Sequence, residues 1–413
     1  MYCLRWYESN MCMQIAFISH FAIYFLLRNE LVEGTHFRKG SRWSSILPAL
    51  ATLDVGGIIL FIFGVGLIIL GTAWGGSTYP WTSAQVLAPI VVGGVCFVLF
   101  FIYEYLLEPG RLVNRMFPKQ VAMLPYSLFS RTDTLLVAIL QFAAGAAMYS
   151  VYYFIGIYFT LVEAYPASKA GLQLLYYIPG LGAGVYIAIY MCNIWPAQTF
   201  PPLSLGTIEE TVGLAVLAWA VSARNTRVVN GMMVLAGAGT GSRFMPASLH
   251  IAGVWPERIA SAMSLLRFAL PFGGTLGLTI MGSVFNNKLA SISGLAAGGL
   301  GNNFSVHNTQ SLSAIADLPP AAQEVIRSTG KDAVMWAFIS IMPIIGISLV
   351  TGLFLGNVWI KPTAQQARHV EDGDTAAAAD ADESDTRHSE VIYVPYLYAL
   401  VKVGINLPPF PRI

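Results

Sequence analysis

The chain has 413 residues, 55% of them hydrophobic and only 11% charged, with a formal net charge of +1 and a mean hydropathy of +0.62. A soluble domain carries about 25% charged residues, so a water-covered globule is excluded and most of the surface must face lipid. Near-neutrality leaves no electrostatic footprint for nucleic acid, and the four scattered cysteines (Cys3, Cys12, Cys96, Cys192) show neither metal spacing nor a disulfide framework.

Crossing about 30 Å of hydrocarbon takes about 20 mostly apolar residues. Such segments must be helices, because open strands in lipid leave peptide groups unpaired. In chain order the candidates are 11–27, 54–73, 84–104, 134–159, 171–192, 205–222, 230–249, 259–285 and 334–359, nine in all. The first is weakened by Gln14, Ser19 and His20, and the sixth is short if Glu209 and Glu210 stay outside it. An all-α, polytopic membrane protein is the expected fold class.

Loop charges set an orientation. Lys and Arg near span ends mark the cytoplasmic side. They occur in 28–53 (Arg28, Arg38, Lys39, Arg42) and in 105–133 (Arg111, Arg115, Lys119, Arg131). Between them WGGSTYPWTS (74–83) is uncharged and rich in aromatic interface anchors, which places it outside. The alternation then puts 287–333 outside, with an Asn303-Phe304-Ser305 sequon, and the tail from Lys361 inside. Arg224 and Arg227 fall in an outside turn and run against the rule. The chain is expected to start outside without a leader, which suggests a missing upstream part. Residues 370–390 are acidic, alanine-rich and of disordered composition. The apolar stretch 391–405 is short, is broken by Pro395, and suits an interfacial or packed segment better than a tenth span.

The spans are rich in glycine, as in GVGLIILG (64–71), PGLGAG (179–184), GAGTG (237–241) and PFGGTLG (271–277). Small residues let helix backbones approach closely. GAGTG has no preceding strand and no following Lys-Ser/Thr, so it is not a phosphate loop. Transporters build central sites from broken helices, which makes Pro179-Gly180 and Pro271 with Gly273 and Gly274 candidate hinges; ordinary kinked packing explains them equally well.

Charges inside spans are costly and so are informative. Arg267 lies about 13 Å into its span at 1.5 Å per residue and is expected to face the bundle interior. Arg243 lies deep in the preceding span. Either cation could shape a substrate pathway or pair structurally with a carboxylate. Glu209 and Glu210 sit near the expected start of 205–222, where a helix amino terminus favours negative charge; a solvated helix start competes there with a role in proton coupling. Glu104 ends its span and is expected to reach the headgroups, and Asp54 is expected to cap the helix that follows it. Gln141, Tyr149 and Tyr152 fall near one helix face, and Gln173 and Tyr177 open the next span, so these are candidate pathway groups for bulky, partly apolar molecules. The six histidines lie far apart, and neither G-x-S-x-G nor H-E-x-x-H occurs. No enzyme, metal or cofactor is therefore expected.

The stretch LDVGGIILFIFGVGLIILGTAWGGSTYPWTSAQV (53–86) resembles spans seven and eight of fungal major facilitator superfamily proteins of the fourteen-span drug:proton antiporter type. The likeness continues through YYIPGLGAGVYIAIYMCNIWPAQTFPPLSLG (176–206), GMMVLAGAGTGSRFMPASLHIAGVWPERIAS (231–261) and RFALPFGGTLGLTIMGSVFNNK (267–288). The resemblance implies a partial superfamily helical bundle from an efflux permease that exchanges drug-like compounds or secondary metabolites for protons by rocking between two access states. It implies a multi-pass protein of the plasma or vacuolar membrane whose partners are the bilayer, a small organic substrate and protons.

On that template the nine spans correspond to six through fourteen. The organisation is then a first apparent span and cytoplasmic linker (1–53), two central spans with a basic loop (54–133), a C-terminal six-helix bundle (134–360), the acidic tail (361–390) and a short apolar segment (391–413). About the first five spans, with their signature motifs, have no counterpart. The expectation is a truncated product, inactive unless an N-terminal half complements it; the competing expectation is a non-transporting membrane fragment or scaffold.

Overall fold

The computed structural model describes Phe17, Ser19, Phe21 and residues 53–75, 79–193, 197–296, 320–359, 391–392 and 394–398. Most of the span expected at 11–27, the basic linker 28–52, the sequon at Asn303 and the acidic tail lie outside the described residues. The chain divides into two units. One comprises Met1–Leu53 with Pro118–Val121, and in it the helical residues Phe17 and Phe21 stack their rings 6.0 Å apart. The other comprises Asp54–Phe117 and Ala122–Ile413 and holds all that follows.

This second unit is an all-α membrane bundle. Its long helices are α1 (Val55–Trp74) and α2 (Ala84–Leu107), then, after the short α3 (Leu112–Met116) and a 3-10 turn, α4 (Thr132–Ser150). There follow α5 (Ala167–Leu174), α6 (Tyr177–Asn193), α7 (Phe200–Ser222), α8 (Thr226–Val254), α9 (Ile259–Ala296) and α10 (Pro320–Leu353). Seven helices among the described residues are long and apolar enough to cross a membrane, with α5 and α6 joined as one of them. Helix α8 has 29 residues, ample for a crossing. It is less apolar because it carries Arg243 and a run of Gly, Ser and Thr, and it is packed chiefly between α6 and α7.

Several boundaries differ from expectation, each for a local reason. Helix α7 begins at Phe200 rather than near 205, because Pro201 and Pro202 occupy its first turn, where their missing N–H groups cost nothing. Helix α10 runs from Pro320 to Leu353, starting well before the expected 334 and ending before 359. Its polar first turns were too hydrophilic to register as a span. Helix α4 does not stop at Ser150 but continues through two π-helical turns, Val151–Ile155 and Tyr158–Val162.

Helices pair closely where glycine removes a side chain. A Cβ on Gly145 of α4 would lie 1.8 Å from the Leu270 carbonyl of α9, and one on Gly273 of α9 would lie 1.9 Å from the Phe142 carbonyl of α4. Between α6 and α8 the same holds at Gly180 against the Val234 carbonyl, 2.0 Å, and at Gly237 against the Tyr177 carbonyl, 2.3 Å. These positions admit no larger residue without separating the helices.

Two apolar clusters fill the bundle. One includes Phe154, Phe159, Leu214, Met233, Ala236, Phe285, Phe338 and Ile345. The other includes Leu128, Val137, Leu203, Ala247, Ile251 and Leu355. Beyond the second cluster several helix ends are tied by polar contacts. Asp133 accepts from the Gly356 N–H at 2.9 Å. Asn357 accepts from the Phe200 N–H at 3.1 Å and donates to Gln198 at 2.9 Å. Thr199 meets His250 Nδ1 at 2.8 Å. Residues after α10 form β1 (Asn357–Val358), which pairs antiparallel with β2 (Val391–Ile392), and the Tyr396 ring packs at a tilt against Phe200, 4.9 Å between centroids. In the segment from 391, Tyr396 is buried while Val394, Leu397 and Tyr398 are exposed.

Candidate functional site

The two apolar clusters are separated by a polar layer. On α7 it falls between Leu203 and Leu214, on α8 between Ala236 and Ala247, and on α10 between Ile345 and the helix end, beyond which Leu355 joins the second cluster. Its centre is Arg243, fully buried, which is ion-paired with Glu210 at 1% exposure. Arg243 Nη1 also donates to the Leu140 carbonyl at 3.3 Å and to Ser348 Oγ at 3.4 Å. Thr240 donates to the other Glu210 oxygen, and its Oγ1 lies 2.7 Å from the Tyr177 hydroxyl. Tyr177 is fully buried and its ring meets that of Tyr152 at 5.0 Å. The result is a hydrogen-bonded line from Tyr177 through Thr240 and Glu210 to Arg243, which half-buried Tyr152 touches only through its ring.

Helix geometry explains why these groups meet. Thr240 and Arg243 are three residues apart on α8 and so share a face. That face approaches α7 closely because Gly239 and Gly206 are glycines: a Cβ on Gly239 would be 2.5 Å from the Glu210 amide nitrogen. With α7 starting at Phe200, Glu210 lies ten residues inside the helix, which corrects the expectation that it marks a solvated helix start. Removing two charges from water is repaid only by close geometry and further hydrogen bonds. Both partners have these, although Arg243 Nε has no acceptor.

The other candidates distribute unevenly. Glu209 points away from the pair, is partly exposed, and its Oε2 has no hydrogen-bond partner. Gln141 is buried at 6% exposure with its Oε1 unpartnered, and it is not joined to the polar line by a hydrogen bond. Gln173 accepts from Asn230 Nδ2 at 2.8 Å, joining α5 to α8. Tyr149 is 38% exposed and packs over Gly274. Arg267 does not face the interior of the bundle: it is exposed, on a stripe with Ala260, Ser264 and Pro271, while the opposite face of α9 packs on α4. Arg243 and Arg267 therefore do not form one lining. Glu104, expected among headgroups, is buried at 1% exposure.

The hinge candidates also part company. Pro179 stands just after the turn Leu175–Tyr176 that separates α5 from α6. Proline has no N–H to offer the carbonyl four residues back, so the helix breaks there, and the Tyr176 and Ile178 amides bond three residues back instead. Pro271 lies within continuous α9, and Gly273 and Gly274 serve the contact with α4. Thr240 and Ser348, which the sequence reading missed, complete the layer. Thr240 was detectable as the hydroxyl one helical turn before Arg243; Ser348 carried no local signal.

Residues 23–164 match the family model described as fungal trichothecene efflux pump (TRI12). The chain is 29% identical over 245 residues to the efflux pump FUS6 of Gibberella fujikuroi, covering 58% of this chain and 41% of that protein. It is 29% identical over 247 residues to the acurin A biosynthesis cluster MFS-type transporter of Aspergillus aculeatus, covering 59% of this chain and 42% of that one. The chain thus spans less than half the length of these relatives. Among solved structures, an inward-facing, unoccupied bacterial homologue of the human lysosomal transporter Spinster aligns with a TM-score of 0.41 and 13% identity, over 75% of this chain and 67% of that one.

Proposed function

We propose that the chain, which is similar to fungal efflux pumps, supplies a helical bundle of a major facilitator superfamily permease that exports secondary metabolites or drug-like compounds in exchange for protons. The observation that carries this reading is the buried Glu210–Arg243 pair and its hydrogen-bonded line through Thr240 to Tyr177, whose ring Tyr152 touches. An ionisable pair in a span is costly and marks a pathway or relay by default.

In the paired state the Glu210 carboxylate neutralises Arg243. A proton arriving on Glu210 through the Tyr177–Thr240 line cancels that charge and leaves the guanidinium with only the Leu140 carbonyl and Ser348 hydroxyl. A buried cation without its counter-ion is unstable, so protonation favours a different helix arrangement and deprotonation restores the first. The side-chain-free contact between α6 and α8, next to the break at Pro179, is the proposed place of movement. Tyr149, Tyr152, Gln173 and Arg267 are the proposed substrate contacts; rings and amides suit bulky, partly aromatic cargo. The proposed site of action is the plasma or vacuolar membrane.

Relatives of more than twice the matched length favour a chain that acts with a complementing N-terminal half, and they equally favour the second reading, a membrane scaffold that does not transport. The discriminating experiment reconstitutes the 413-residue chain in liposomes, alone and with the N-terminal half of a fungal relative, and follows a fluorescent aromatic probe under an imposed pH gradient. Gradient-driven flux that needs both parts, and is lost in Glu210→Gln, is expected. No flux from a verified two-part assembly would favour the scaffold, and flux indifferent to Glu210→Gln would remove that residue from the coupling.

A further inference from the structure

The segment that follows α2 presents a surface unlike the spans beside it. The exposed side chains of α1 and α2 include Ile62, Phe63, Val91 and Val95, which suit acyl chains. Past Leu107 the chain turns at Gly110, whose φ of +89° is a left-handed conformation that glycine adopts without strain. It then enters α3 (Leu112–Met116), which packs against α2. Val113 and Asn114 are half-buried, whereas Leu112 is 69% and Met116 73% exposed. Leu112, Arg115 and Met116 stand three and four residues apart, so one helix face carries an arginine with two apolar side chains. Phe117, also exposed, follows directly.

The cations of this segment are incompletely matched. Arg111 pairs with Glu108 at 3.5 Å and lies 3.3 Å over the Tyr105 ring. Glu108 is engaged further, since it accepts from the Ser127 N–H at 2.9 Å. Arg115 is exposed and enters no ion pair among the described residues. The patch therefore keeps an excess of positive charge. Beside it Tyr105 and Tyr126, both exposed, meet edge to face with 5.2 Å between centroids. Tyrosines at the end of a span are anchors of the membrane–water interface.

Water alone would leave Leu112, Met116 and Phe117 solvated, and hydrocarbon alone would strand Arg115. The headgroup boundary satisfies both: the apolar side chains reach acyl chains, the tyrosine rings lie at the boundary, and the guanidinium groups extend to phosphates. Arginine holds a phosphate through paired N–H donors, which a lone ammonium cannot reproduce. We propose that α3, with Arg111 and Arg115, forms a binding site for the headgroup of an anionic phospholipid. Its loop carries the cations that mark the expected cytoplasmic side, where anionic lipids concentrate. Each arginine near such a surface is worth about fivefold in affinity. The inference does not depend on the chain being a transporter.

Native mass spectrometry of the full chain in a neutral detergent reads lipid adducts directly, with phosphatidylserine titrated against phosphatidylcholine of the same acyl chains. The wild type is expected to prefer phosphatidylserine by at least about fivefold. Arg115→Gln should cut that preference about fivefold, while Arg227→Gln, at an exposed cation elsewhere, should leave it unchanged. Leu112→Ser combined with Met116→Ser should weaken the adducts of both lipids. Equal binding of the two lipids by the wild type, or a preference untouched by Arg115→Gln, overturns the site. An equal fall in Arg227→Gln overturns it too, since it would show diffuse charge attraction, and so does an equally stable adduct with inorganic phosphate, which would show a free-anion site. If the double variant fails to fold, Arg115→Gln, at a side chain outside every described ion pair, decides alone.

Discussion

Arg243 shows what burial does to a single charge. Its guanidinium is fully covered, so its stability rests on Glu210, Leu140 and Ser348 together. Removing one partner of a buried pair costs about 3–5 kcal/mol, whereas replacing both by apolar groups of similar volume is near neutral. Glu210→Ala should therefore lower the unfolding midpoint more than the double change Glu210→Leu with Arg243→Met. Thermal unfolding in detergent checks this; equal losses would mean that the pair is not energetically coupled. Arg267, by contrast, is exposed, and Arg267→Leu should change stability by no more than about 0.5 kcal/mol, as surface changes do. At this scale the sequence identified which residue types are expensive in lipid but not which partners they find.

At the scale of elements, glycine spacing sets the architecture. Gly180 and Gly184 on α6 face α8, and Gly237 and Gly241 on α8 face back, each within about a methyl radius of a carbonyl across the seam. Gly237→Leu would have to displace the Tyr177 backbone, and with it the hydroxyl that meets Thr240. Overpacking typically costs 1–3 kcal/mol. The expected outcome is a lower midpoint together with faster amide exchange in α6, measured by hydrogen exchange; unchanged exchange would show that the seam is not tight. The Gly-rich runs were legible as close-packing stretches, and the break at Pro179 followed from proline's missing donor. Pro271 carries the same local signal yet sits in an unbroken helix, because α4 packs along that turn and holds it.

For the unit as a whole, one end of the bundle is tied by residues far apart in sequence. Asn357 bonds Phe200 and Gln198, Gly356 bonds Asp133, and the strand pair brings Val391 beside Val358. These contacts join the starts of α4 and α7 to the end of α10. Asn357→Ala leaves the buried Phe200 N–H without its acceptor, at about 1–3 kcal/mol. Exchange at the Thr199, Phe200 and Val358 amides should rise while α1 and α2 stay unchanged; a uniform rise across the chain would instead mean global destabilisation. Nothing in the local sequence warned of this tie, since neither Asn357 nor Gln198 belongs to a motif. The sequence did place Arg224 on the wrong side of the charge rule. In the structure Arg224 pairs with Glu163 at 3.4 Å and Glu324 at 3.3 Å.

Composition alone determined that this chain lives in lipid, and the requirement to satisfy every peptide group there determined that it is helical. Hydropathy placed the helices to within a few turns, since the cost of a polar residue in hydrocarbon is local and additive along the chain. Which buried charge meets which could not be read the same way. Glu210 and Arg243 are joined by the lateral packing of helices that hydropathy treats as independent rods. Only the tertiary structure decided that pairing, because the energy of a buried charge depends on what stands beside it.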